Sequence, residues 1–114
     1  MQRHANRVRT LSIERIGRLG LGALVLAHLV WDPLVTLVGV AAFGIGEEDS
    51  AVVRSLLRVH PGLWLAAKGA VVGGYVVLAY RLGAHRHPAM VWLPWALAAI
   101  GILAPLGWIE LFIR

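Results

Sequence analysis

The sequence predicts an all-α integral membrane protein with three transmembrane helices and one short amphipathic surface helix. Hydrophobic residues make up 59% of the chain and charged residues only 15%, whereas about 25% of a typical soluble domain is charged. A small soluble domain cannot bury so large an apolar fraction of its surface. Three apolar segments are long enough to cross a bilayer, since a span needs about 20 residues. We therefore expect a single membrane domain over residues 1–114.

The first span, predicted over about residues 19–45, is the segment around which the rest of the chain is arranged. It carries His28, Asp32 and Thr36, which share one face of a helix because they are spaced four residues apart. An acid at membrane depth costs at least about 2.5–3.5 kcal/mol on insertion scales, so it usually has a partner or a task. Pro33 removes a backbone donor and predicts a bend at this point.

The second span, predicted over about residues 63–82, carries a lysine and a small-residue motif. Lys68 lies near its outer end, and Gly69 and Gly73 follow at a spacing that lets two helix backbones approach closely. These two glycines therefore predict a helix contact face. The third span is predicted over about residues 90–113.

A short helix on the membrane surface is predicted over about residues 50–59, between the first two spans. Asp49 or Ser50 is suited to cap its N-terminus. Apolar residues occupy one face of this helix, and Arg54 and Arg58 lie on the other, which is typical of an interfacial helix. The loop before it contains an outer acidic cluster, formed by Glu47, Glu48 and Asp49.

Aromatic residues near the span ends match the belts that membrane proteins place at the level of the headgroups. Trp95 and Trp108 lie toward opposite ends of the third span, and Trp64 and Tyr80 toward opposite ends of the second. Trp31 lies in the middle of the first span and is instead predicted to pack against another helix.

The distribution of basic residues predicts the orientation of the chain. The N-terminal arm carries five arginines, namely Arg3, Arg7, Arg9, Arg15 and Arg18. Arg81 and Arg86 lie in the second loop, whereas the first loop sets two arginines against three acids. By the positive-inside rule, the N-terminus and the second loop are predicted to be cytoplasmic and the C-terminus to lie outside the cell membrane. The arm is either a basic interfacial helix or a charged tail, and His85 in the second loop is expected to be solvated.

Two directions are open to Lys68. Its backbone lies about 7–8 Å below the outer end of its span, so the ammonium group reaches either outward to the acidic loop or inward to Asp32. Asp32 and Thr36 lie about 20 Å and about 13–14 Å below the outer end of the first span. For Asp32 the sequence therefore leaves two alternatives, a proton or cation site and a structural acid bonded to Lys68, His28 or a neighbouring helix.

No catalytic site, metal or cofactor is expected. His28 is the one histidine within a span, so a bis-histidine haem site would need a second copy of the chain, and a hydrogen-bonded packing role is favoured. The absence of cysteine excludes thiolate catalysis and cysteine-based metal centres. Motifs of serine hydrolases, P-loop NTPases and zinc proteases are absent. The net charge is +5, and the basic residues flank apolar segments. Contact with lipid headgroups therefore explains the positive charge better than binding to nucleic acid.

Residues 25–85 contain a series of short motifs. Asp32-x3-Thr36, then Gly46-Glu47-Glu48, a surface helix and Lys68 in the next span resemble a family of small, uncharacterised prokaryotic membrane proteins, common in haloarchaea. That family has Glu-x-Asn-Pro in the loop, where this chain has Glu48-Asp49-Ser50-Ala51. The resemblance implies about three spans, no known activity, and one constellation formed by Asp32, Thr36, Glu48 and Lys68.

These observations favour a non-catalytic accessory or assembly subunit that associates with itself or with a larger membrane complex. In that interpretation Asp32 and Lys68 dock two helices. The alternative is a homo-oligomeric proton or cation transporter or channel, with Asp32 as the ion site. A haem-binding electron-transfer subunit using His28 is the third hypothesis.

Overall fold

The computed structural model describes residues 2–114, and for residues 2–6, 10 and 11 it describes the backbone alone. The described chain is helical and contains no strand. Three helices are long and apolar enough to cross a membrane, over Arg7–Phe43, Pro61–Arg81 and Leu93–Ile113. The predictions of an all-α chain and of three such helices are confirmed.

The first long helix consists of α1 (Gln2–Leu26), a π-helical turn (Ala27–Trp31) and α2 (Asp32–Phe43). The wider turn stands directly before Asp32-Pro33, where the sequence predicts a bend. Proline has no N–H group and its ring crowds the carbonyl group one turn earlier, so a regular helix cannot continue unchanged through it. A π turn is one of the known ways in which a helix absorbs such a disturbance.

Two further helices follow a 3₁₀ turn (Ile45–Glu47), namely α3 (Ala51–Val59) and α4 (Pro61–Arg81). The Ser50 hydroxyl accepts a hydrogen bond of 3.3 Å from the N–H of Val53 and so caps α3. The shorter helix packs against α4 and buries Leu57.

The third long helix consists of α5 (Leu93–Leu103) and α6 (Leu106–Ile113), interrupted next to Pro105. It follows a second 3₁₀ turn, Ala84–Arg86. Because α5 packs on α1 and α6 packs on α2, this helix runs parallel to the first long helix. The antiparallel α4 joins the same core, in which Ala79 lies among the buried residues of α1.

Close packing occurs where glycines of one helix face a ring or the backbone of a neighbour. A Cβ atom at Gly39 would lie 2.3 Å from the Trp108 ring, and one at Gly101 would lie 2.7 Å from the His28 ring. By contrast, a Cβ atom at Gly69 or Gly73 would have nothing within 4 Å. The predicted contact face of α4 is therefore not used within the described chain.

Two tryptophans of the predicted aromatic belts are buried within the described chain. Trp64 and Trp108 are only 3% and 4% exposed, because Trp64 packs inside the bundle and Trp108 fills the space over Gly39. Both still lie toward the ends of their long helices, so their place in the belts remains a prediction. Trp31 packs against the third long helix as expected, since its indole N–H donates a 3.1 Å hydrogen bond to the Ile102 carbonyl.

Candidate functional site

A buried carboxylate bonded to a lysine and a threonine lies near the middle of the bundle. Asp32 begins α2 and is 7% exposed. Its Oδ2 atom accepts a hydrogen bond from Nζ of Lys68 on α4, and its Oδ1 atom accepts one of 3.1 Å from the Thr36 hydroxyl one turn later. Of the two directions that the sequence leaves open for Lys68, the structure shows the inward one.

The ammonium group of Lys68 has a second stabilising contact. Its Nζ atom lies 5.4 Å from the centre of the Trp64 ring, within the range of a cation–π interaction. The positive charge is therefore stabilised by the carboxylate and by an aromatic ring, and the carboxylate is stabilised by the lysine and by the Thr36 hydroxyl.

The ion pair lines a cavity of about 330 Å³, which we name the polar cavity. Asp32, Thr36 and Lys68 contribute to its wall, and Glu48 and Asp49 contribute from the loop after α2. The cavity thus connects the membrane-depth charges with part of the outer acidic cluster.

His28 also lines the polar cavity, but its one hydrogen bond in the described structure joins it to the third helix. Its Nε2 atom lies 2.7 Å from the Leu97 carbonyl oxygen. A carbonyl oxygen only accepts, so Nε2 carries a hydrogen, and in the neutral imidazole Nδ1 is then an acceptor. This geometry suits a packing histidine. A haem iron binds a histidine through one ring nitrogen, usually Nε2, and the Nε2 atom of His28 is already engaged by Leu97. Among the described residues, no cluster of three or more acids or histidines is placed to hold a metal ion.

The outer acidic cluster is tied to two helices through Glu48. The Oε2 atom of Glu48 accepts a 2.9 Å hydrogen bond from the Trp108 indole, and its backbone carbonyl accepts one of 2.8 Å from Arg54. Glu47 and Asp49 join it in lining a second cavity of about 190 Å³ beside α6. None of the three acids is bonded to Lys68 in the structure.

Sequence reasoning missed a buried histidine at the opposite end of the bundle. His85 is 6% exposed rather than solvated, and its Nε2 atom lies 3.9 Å from the Glu14 carboxylate. The 3₁₀ turn that carries it lies against α1, where Gly17 has no side chain to hold it away. Gly17 was therefore the available signal, because a glycine in a helix often marks a close contact.

No protein-family model, curated protein or solved structure matches this chain.

Proposed function

We propose that this chain is a small multi-pass protein of the cell membrane that acts, without catalysis, as an accessory or assembly subunit. The main support for this proposal is the ion pair between the Asp32 carboxylate and the Lys68 ammonium group. Both Asp32 oxygens are engaged by protein donors, which suits helix docking better than ion exchange. The three apolar helices support a location in the bilayer.

An open helix face supports association with itself or with a larger membrane complex. Only three of the 21 residues of α4 are buried, namely Trp64, Val72 and Ala79. Gly69 and Gly73 lie open, whereas the glycines that meet neighbouring helices are in the first and third long helices. Small residues let a second helix approach closely in a membrane. The face of Gly69 and Gly73 is therefore the proposed contact with a partner.

The resemblance to a three-span prokaryotic family of unknown function remains part of the proposal. It groups Asp32, Thr36, Glu48 and Lys68, and all four line the polar cavity. Their position around one cavity supports the proposal that the four residues form a single site.

The proposed orientation predicts which introduced thiols face the outside. The chain has no cysteine, so a thiol-reactive label can attach only to a cysteine introduced by substitution. Gly46→Cys and Ser12→Cys are matched because both positions are exposed. A membrane-impermeant maleimide should label Gly46→Cys in intact cells and Ser12→Cys only after lysis. Labelling in the reverse order would contradict a cytoplasmic N-terminus.

The proposed contact face predicts the position of crosslinks. A photoreactive benzophenone attached to Gly73→Cys should join the chain to a second copy or to another membrane protein in native membranes. Gly22→Cys is the control, because Gly22 also has open space around it but lies on the first helix. Crosslinking that is equal at both positions, or absent at both, would count against an assembly role through α4.

A transporter or channel is the second candidate, favoured by the polar cavity that joins Asp32 to the outer acids. In that case Asp32 carries the ion and Lys68 is a tethered counter-charge. The haem hypothesis rests on His28 alone, and a haem absorption band in the purified protein would be its direct sign.

A further inference from the structure

An apolar groove of about 280 Å³ runs beside α4 below the surface helix. Val53 and Leu56 of α3 line it from one side, and Ala67 and Val71 of α4 line it from the other. Val71 is 74% exposed, so this rim of the groove faces the surroundings of the bundle. In a membrane those surroundings are lipid chains.

The groove adjoins the polar cavity. Both are lined by Val53, His28, Trp64 and Lys68. A ligand placed along them would have its apolar part in the groove and its polar part beside the ion pair. This is the shape of a site for an amphiphile that enters from the side.

The polar end of the site offers both a donor and an acceptor. Lys68 has three N–H groups, of which one is directed at Asp32. In the neutral imidazole the Nδ1 atom of His28 accepts, because Nε2 donates to Leu97. The charge of Lys68 is balanced by Asp32, and the nearby loop acids Glu48 and Asp49 disfavour an anion. A neutral hydroxyl or carbonyl head therefore fits this end better than a carboxylate or phosphate.

We propose that the groove and the polar cavity bind a neutral long-chain lipid, with its hydroxyl or carbonyl head between Lys68 and His28 and its chain along α4. The proposal uses the membrane placement given above but not the assembly role. An apolar helix of a second copy would fill the groove without offering a partner to these two polar atoms.

The first test compares three photoreactive lipids in the intact protein, reconstituted in nanodiscs. The probes share one diazirine-bearing alkyl chain and differ in the head, which is a hydroxyl, a carboxylate or a trimethylammonium group. The hydroxyl probe should label the segment of Leu56 or Val71 about 2- to 10-fold more than the other two, the range of one net hydrogen bond. Stronger labelling by either charged probe, or equal labelling by all three, would overturn the proposal.

The second test fills the groove. Ala67→Phe places a ring inside it, and Ala70→Phe is the matched control because Ala70 is exposed on the same helix and does not line the groove. The first variant should lose most of the labelling by the hydroxyl probe, and the second should keep it. Unchanged labelling in Ala67→Phe would overturn the proposal, as would crosslinking of this segment to a second copy of the chain in place of the lipid.

Discussion

Lys68→Met is expected to lower the free energy of unfolding by about 3–5 kcal/mol. The substitution keeps the length of the side chain but leaves the Asp32 carboxylate buried with only the Thr36 hydroxyl as a partner. An uncompensated charge in a low-dielectric interior accounts for a loss of this size. Reversible unfolding in mixed micelles, followed by circular dichroism, measures it.

The matched control removes a cation from an exposed pair. Arg114 lies 2.9 Å from Glu110, and their side chains are 69% and 62% exposed. Arg114→Met should therefore change the free energy of unfolding by no more than about 1 kcal/mol. Similar losses in the two variants would mean that the Asp32–Lys68 pair is solvated and does not hold the helices together.

Gly17→Ala is expected to destabilise the protein by about 1–3 kcal/mol, the usual cost of overpacking. The added Cβ atom would lie 2.1 Å from the backbone oxygen of His85, so the 3₁₀ turn that carries this residue would have to move away from α1. The same substitution at Gly22 meets nothing within 4 Å. Gly22→Ala should therefore stabilise α1 by up to about 1 kcal/mol through helix propensity.

Thermal unfolding of the two glycine variants in the same detergent shows whether each substitution lowers or raises the stability of the protein. A loss at Gly17 and a gain at Gly22 would confirm the close contact between α1 and the loop after α4. A gain at both positions would contradict that contact.

Much of the fold could be predicted from the sequence because the bilayer restricts the choices. Backbone groups in lipid must be bonded within their own segment, so long apolar runs become helices. The short helix after Ser50 was also predictable, since its cap and its two-sided pattern are local features.

The direction of Lys68 could not be predicted, because its depth fits both the acidic loop and Asp32. The choice depends on how α4 is placed beside α2, which long-range packing determines. Trp108 shows the same limit. The belt rule concerns the depth of a tryptophan in the membrane, and it does not report that the ring of this one packs over Gly39.

Whether a glycine forms a helix contact also depends on which residues of a neighbouring helix lie opposite it. Gly69 and Gly73 have the spacing of a known motif but meet nothing in the described chain, whereas Gly39 and Gly101 have no such spacing and pack against rings. Spacing along one helix does not report which neighbour faces it.

Asp32 and Lys68 are proposed to dock two helices, and a double-mutant cycle with Asp32→Asn and Lys68→Met measures the energy of their interaction. If the pair docks the helices, Lys68→Met should partly restore the stability that Asp32→Asn loses, with a coupling energy of about 0.5–3 kcal/mol. Proton flux into proteoliposomes containing each variant should match that of empty vesicles. Additive losses without coupling, together with a pH-dependent flux that disappears in Asp32→Asn, would contradict the docking role and favour a transporter.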